Sequence, residues 1–297
     1  MRLLVIGSKG QVGFELVRAF QPLGEVLAWT REHADLERTR ELAEALDRAQ
    51  PDVIVNCAAY TGVDAAETDE AAAWRVNAEA PSAMSAWAKL NNAAFIHFST
   101  DYVFDGEACR PLRETDPLSP LSVYGRSKAA GESAVAKAGA SHVILRTSWV
   151  YATRGHNFMR TVLRLARERK ELRIVNDQQG APTWARSIAE ATAAIVARAG
   201  ADRAAVARSI GERGGIFHLT CGGVTSWFHF AKRILELVPD GRRVLERLDP
   251  IPTSQYPTPA RRPTYSVLDN QRIADAWGIR LPSWDVCLAA AVEEWAP

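Results

Sequence analysis

The sequence predicts an α/β protein, a doubly wound parallel sheet with a smaller C-terminal unit. Short β-type runs alternate with longer helical spacings through the first half, a glycine-rich turn joins the first run to the first helical pattern, and the alternation loosens after residue 151. Continuous apolar strands separated by helices indicate a sheet covered on both faces, because right-handed crossovers set helices above and below it. The 297 residues are enough for two units at roughly 150 residues each.

The first strand, residues 3–6, leads into Gly7, Ser8, Lys9, Gly10, Gln11, Val12 and Gly13, and then into helical apolar positions Phe14, Leu16, Val17 and Phe20. A glycine turn between strand and helix lets backbone approach a pyrophosphate, and the free N–H groups of the helix N-terminus bind its charge. The second strand, 26–29, ends at Trp29, Thr30 and Arg31 with no acid at its tip. A carboxylate there takes the ribose hydrogen bond, whereas Arg31 suits a ribose phosphate, so NADPH is expected ahead of NADH. Asp35, with Leu36 beside it, is a nearby carboxylate able to reach the ribose instead.

The third strand, 53–55, is followed by Asn56, Cys57, Ala58, Ala59, Tyr60 and Thr61, small residues over which a dinucleotide can lie. The fourth, 94–98, ends at Ser99, Thr100 and Asp101. Thr100 can hydrogen-bond a carbonyl oxygen as charge develops on it. Tyr124 and Lys128 then stand four apart, on one helix face. A neighbouring ammonium is expected to lower the phenol from its ordinary value of about 10 toward a useful one. After the fifth strand, 143–145, the pattern gives helices over 158–169 and 187–198, a strand over 216–219 and a helix over 227–237. Residues 200–215 read as an exposed loop, and 250–263, with prolines at 250, 252, 257, 259 and 263, as an ordered one.

Apolar residues make up 47% and charged residues 24%, with 36 Lys plus Arg against 35 Asp plus Glu, a formal charge of +1. That balance excludes a broadly basic surface for nucleic acid or anionic lipid. The opening apolar run ends at Gly7, short of signal or membrane-span length, so no membrane partner and a cytoplasmic location are expected. Cys57, Cys109, Cys221 and Cys287 are too scattered for a zinc site and read as core residues.

The glycine spacing matches the short-chain dehydrogenase/reductase superfamily, and the Rossmann-type order of motifs extends the match. Residues 7–13, 51–56, 99–104, 123–125, 146–151, 176–178, 180–183, 252–253 and 256–259 together resemble the dTDP-4-dehydrorhamnose reductase family of its extended branch. The resemblance implies that Thr100, Tyr124 and Lys128 are catalytic, that Gly10, Gln11, Val12, Ala59, Tyr60 and Thr61 contact the cofactor, and that Asp101 and Trp149 contact a nucleotide-sugar substrate. Trp149 is expected to stack on sugar or base, and Arg262, beside Arg261, to approach the diphosphate. Arg126 and Ser127 fill the variable positions between Tyr124 and Lys128 without a part in the mechanism. The reaction implied is reduction of a ketone at carbon four of a dTDP-linked 6-deoxy-hexulose. Magnesium accompanies some members, but no ligand set is legible here, and a homodimer is a candidate assembly.

On this reading residues 1–149 form the dinucleotide-binding domain, part of 184–220 returns to it, and 150–183 with 221–297 form the substrate-binding domain. A dehydratase or epimerase built on the same triad is the nearest alternative, opposed by Tyr102 where a dehydratase carries an acid. A non-catalytic dinucleotide-binding regulatory subunit is the other, opposed by the intact triad.

Overall fold

The computed structural model describes residues 1–239 and 241–295. Five strands alternate with helices: β1 (Arg2–Ile6), β2 (Glu25–Trp29), β3 (Val53–Asn56), β4 (Ala94–Thr100) and β5 (Ser141–Thr147). With the strand Gly215–His218 they make one six-stranded sheet, ordered from that strand through β5, β4, β3 and β1 to β2. Every neighbouring pair in it is parallel. The chain winds outward from β1 to β2 and then restarts at β3 on the other side of β1. A crevice opens at the carboxyl ends of the strands at this reversal, the usual ligand position in open α/β sheets.

The pleat divides each strand between two cores. Leu3 and Val5 face helix α1 (Gln11–Ala19) and the helix Ala185–Ala199, packing with Leu16, Phe20, Ile188 and Ile195. Leu4 and Ile6 face the opposite side, with Leu42, Met84, Trp87 and Val135. A third apolar cluster lies apart from both, where Tyr151, Met159, Phe230, Ile234 and Leu288 join the helices Phe158–Glu168, Trp227–Leu237 and Trp284–Glu293.

Two expectations are corrected. Residues 200–215 are not an exposed loop, because Arg203–Arg213 is a helix, capped where Asp202 accepts from the Ala205 N–H. Its Val206, Ala207 and Ile210 are buried, and that apolar spacing outweighs the many arginines on the outward face. The proline-rich stretch begins inside a strand, Arg247–Ile251, which contains Pro250 and pairs in parallel with Glu171–Val175. This sheet has only two strands, so a residue without an N–H is tolerated at its edge. Residues 296 and 297, the end of the expected second domain, lie outside the described residues. Among the described residues no helix is long and apolar enough to cross a membrane.

Candidate active site

β4 delivers Thr100 to the crevice, and the helix Val123–Ala138 delivers Tyr124 and Lys128. Ser122 caps that helix by accepting from the Gly125 N–H at 3.1 Å, which sets Tyr124 in its first turn. Thr100 lies beside the Tyr124 phenol and favours its ionised form. Thr100 Oγ1 in turn donates to Asp101 Oδ1 at 3.0 Å and accepts from the Tyr102 N–H at 3.2 Å.

Electrostatics depart from expectation at the tyrosine. Burial pushes Tyr124 up to about 12, opposed by Thr100, and Lys128 contributes no lowering. The reason is where the ammonium points: Lys128 Nζ donates to Phe98 O at 2.6 Å and lies 3.3 Å from His97 Nε2. Burial brings Lys128 itself down to about 8. His97 is buried in β4 with Asn56 Nδ2 3.2 Å from its other nitrogen, and burial together with Lys128 keeps it neutral.

The sequence reading missed Asn77. It sits in a π-helical turn, Arg75–Glu79, where the extra residue turns its side chain inward. Asn77 Oδ1 accepts from the Tyr60 N–H at 2.8 Å, and Nδ2 donates to Tyr60 O at 3.1 Å and to Ser127 Oγ at 3.0 Å. Ser127 donates onward to Tyr124 O at 2.8 Å. Ser127 is thus a fixed link between the tyrosine helix and the loop at Ala59 and Tyr60, and not an idle position. The one sequence signal was a polar residue inside an alanine-rich helical stretch.

The glycine turn fits a pyrophosphate. Gly7 holds φ +81, and a Cβ on Gly13 would collide with Gly7 O, so α1 lies hard against the turn. Gly10 gives α1 no side-chain cap, leaving the first N–H groups of Gln11, Val12 and Gly13 free, and Gln11 Oε1 is buried with no partner. Beside this turn a cavity of about 480 Å³ is lined by Thr30, Arg31, Asp35, Leu36, Ala59 and Tyr60. Thr61 is exposed just beyond it. Asp35 is committed locally, one oxygen to the Glu37 N–H at 3.1 Å and the other to Arg31 Nε at 3.3 Å.

A second cavity, of about 590 Å³, is lined by Gln178, Trp227, Tyr256 and Arg262 among others. Arg262 pairs with Asp64 at 2.7 Å, joining this loop to the segment after β3. Trp149, at φ +47, stacks on Trp227 with ring centres 3.6 Å apart. On the other side a Cβ at Gly180 would stand 2.5 Å from Trp149 Cε2 and 2.8 Å from Cζ2 and Nε1, near-equal distances that place Gly180 over the ring face. Both faces are covered, so stacking of Trp149 on a sugar or base is closed in this arrangement, and its rim is what remains available. Among the described residues no three or more His, Cys, Asp or Glu gather as a metal cluster.

Asp101 carries a testable consequence. It is 2% exposed, Oδ2 has no partner, and burial raises its carboxyl to about 6. A carboxyl that titrates higher folded than unfolded destabilises the fold when ionised, fully above about pH 6 and not at all below about pH 4. Asp101→Asn is therefore expected to raise stability at pH 8 by on the order of 2 kcal/mol, the gain shrinking to nothing near pH 4. Urea unfolding at both pH values measures it, and a difference independent of pH would refute the buried charge.

A sequence profile of the family described as RmlD substrate binding domain matches residues 1–296. The dTDP-4-dehydrorhamnose reductase of Burkholderia thailandensis is 49% identical over 298 residues, covering 99% of each chain. The crystal structure of a dTDP-4-dehydrorhamnose reductase from Clostridium acetobutylicum has a TM-score of 0.90 at 32% identity, covering 99% of both chains. The Bacillus anthracis dTDP-4-dehydrorhamnose reductase in complex with NADP has a TM-score of 0.86 at 29% identity, again over 99% of both.

Proposed function

This chain belongs to the dTDP-4-dehydrorhamnose reductase family, and from that membership we propose that it reduces the 4-keto group of dTDP-4-dehydro-L-rhamnose with NADPH, giving dTDP-L-rhamnose in the last step of its synthesis. The observation that carries this reading is the convergence of Tyr124 and Thr100 at the carboxyl end of β4. The nicotinamide, when bound, supplies the hydride. Tyr124, held near about 12 by burial, stays protonated through the neutral range, which is the state a reduction needs. Its proton goes to the carbonyl oxygen as that oxygen gains charge. Thr100 Oγ1 turns its hydrogen from Asp101 to the same oxygen, adding electrostatic stabilisation. Lys128, which donates to Phe98 O, would hold the nicotinamide ribose, and its charge would favour the phenolate that Tyr124 becomes.

The free N–H groups of Gln11, Val12 and Gly13 would hold the pyrophosphate, and Ala59, Tyr60 and Thr61 would contact the dinucleotide. Arg31, with Thr30 rather than an acid at the end of β2, supports NADPH over NADH. Residues 1–149, with part of 184–220, carry the cofactor; residues 150–183 and 221–297 carry the sugar nucleotide, with Arg262 at its diphosphate and Asp101 and the rim of Trp149 at its sugar. We place the reaction in the cytoplasm, on the supply of reduced cofactor it consumes. Elimination is disfavoured at Tyr102, whose phenol burial pushes well above its ordinary value.

The test is direct. The purified chain should oxidise NADPH only when dTDP-4-dehydro-L-rhamnose is added, with NMR identifying dTDP-L-rhamnose as product. Cofactor binding without oxidation would return the chain to a non-catalytic role.

A further inference from the structure

The 480 Å³ cavity beside the glycine turn holds two guanidinium groups, not one, and a carboxylate sits between them. Glu37 Oε1 accepts from Arg31 Nη2 at 2.8 Å, and Glu37 Oε2 accepts from Arg75 Nη2 at 3.0 Å. Arg31 comes from the segment after β2, whereas Arg75 opens the π-helical turn that also carries Asn77. Glu37 is therefore a removable bridge across two chain segments. Its side chain is 31% exposed, so solvent and ligand can reach it.

We propose that Arg31 and Arg75 together form the site for the cofactor's ribose 2′-phosphate, and that Glu37 is the specificity-determining residue that competes with that phosphate. This rests on the reading of the cavity as the adenosine end of the cofactor site. A phosphomonoester brings close to two negative charges and three acceptor oxygens, and guanidinium groups bind such oxygens in pairs. To enter, it must displace the Glu37 carboxylate from both arginines and remain near its charge. A ligand without the 2′-phosphate leaves the bridge closed and meets no such competition. Glu37 thus narrows the preference that Arg31 and Arg75 would otherwise create, and keeps the non-phosphorylated dinucleotide usable. Asp35, tied to Arg31 Nε and the Glu37 N–H, holds the bridge in place.

Calorimetric binding of adenosine 2′,5′-bisphosphate and of AMP, at one fixed ionic strength, tests this without turnover. In Glu37→Gln the affinity for the bisphosphate should rise about tenfold, with AMP unchanged within about twofold. Arg75→Leu should weaken the bisphosphate about tenfold and leave AMP alone, as should Arg31→Leu. If Glu37→Gln strengthens both ligands equally, or Arg75→Leu changes neither while Arg31→Leu weakens the bisphosphate, the two-arginine site is overturned and the cavity reading survives. If none of the three variants alters either affinity, the cavity reading falls and takes the proposal with it. All three side chains reach the surface, and thermal melts confirm that each variant is folded.

Discussion

Tyr124→Phe is expected to lower kcat by roughly a hundredfold or more while cofactor affinity stays within about twofold, the scale set by removing a positioned general acid. The substitution deletes one oxygen. The ring stays in its edge-on contact with Tyr102, centres 5.6 Å apart, so the helix start and the cofactor-side loop are undisturbed. Thr100 remains to polarise the carbonyl, which leaves residual activity above background. Lys128→Met is expected to differ in kind, weakening cofactor binding as well as kcat. Its pH behaviour separates the two roles further. Burial brings Lys128 down to about 8, and the proposed mechanism uses its charged form, so wild-type kcat should fall as pH rises through that value. Tyr124, near about 12, adds no limb below it. The alkaline fall should persist in Tyr124→Phe and vanish in Lys128→Met. Near wild-type turnover in the phenylalanine variant would remove Tyr124 as the acid.

Glu132→Ala is expected to destabilise the protein by about 3–5 kcal/mol, because it strands a buried guanidinium. Arg146 donates from Nε to Glu132 Oε1 at 2.8 Å and from Nη2 to Oε2 at 2.6 Å, and the two side chains are 1% and 2% exposed. Little else can take up the charge. Nη1 is 3.4 Å from His218 Nε2, and the guanidinium carbon lies 5.1 Å from the Phe104 ring centre. Burial first, and Arg146 second, lower His218 to about 3, so it stays neutral beside the cation. Replacing both partners, Glu132→Leu with Arg146→Met, should return most of the loss, since an apolar pair of similar volume needs no counter-charge. Shifts in the urea midpoint at constant slope report both. A loss below about 1 kcal/mol in Glu132→Ala would show that the pair is hydrated rather than desolvated. Glu132 also favours the charged form of Lys128 from one turn along the helix.

The central strands were legible because a parallel strand buried on both faces has no polar side to break its run, as residues 3–6 and 53–55 show. Tyr124 and Lys128 were legible for a similar reason, since their partnership is local and has a period. What stayed hidden is non-local. Asn77 acts on Tyr60, 17 positions back, and Lys128 meets His97 across 31. Glu132 and Arg146 pair across 14 positions, and it is the fold that buries both. Trp149 was read by its place after a strand, but no spacing announces that Trp227 and Gly180 will cover its two faces. The helix Arg203–Arg213 was missed because composition was weighed above spacing there.

The sheet's last strand has a consequence for how the protein is made. β5 pairs on one side with β4, but its other edge is completed only by Gly215–His218, in register from Val143 to Arg146, with the Leu219 N–H donating to Arg146 O. Residues 148–214 must leave the ribosome first. At ordinary elongation rates that interval is roughly three to thirteen seconds, during which a nascent chain already holding the glycine turn and the triad still presents bare strand hydrogen-bonding groups. A message cut short anywhere in that window therefore yields not a smaller working enzyme but a fragment with an open edge, primed to join another like itself.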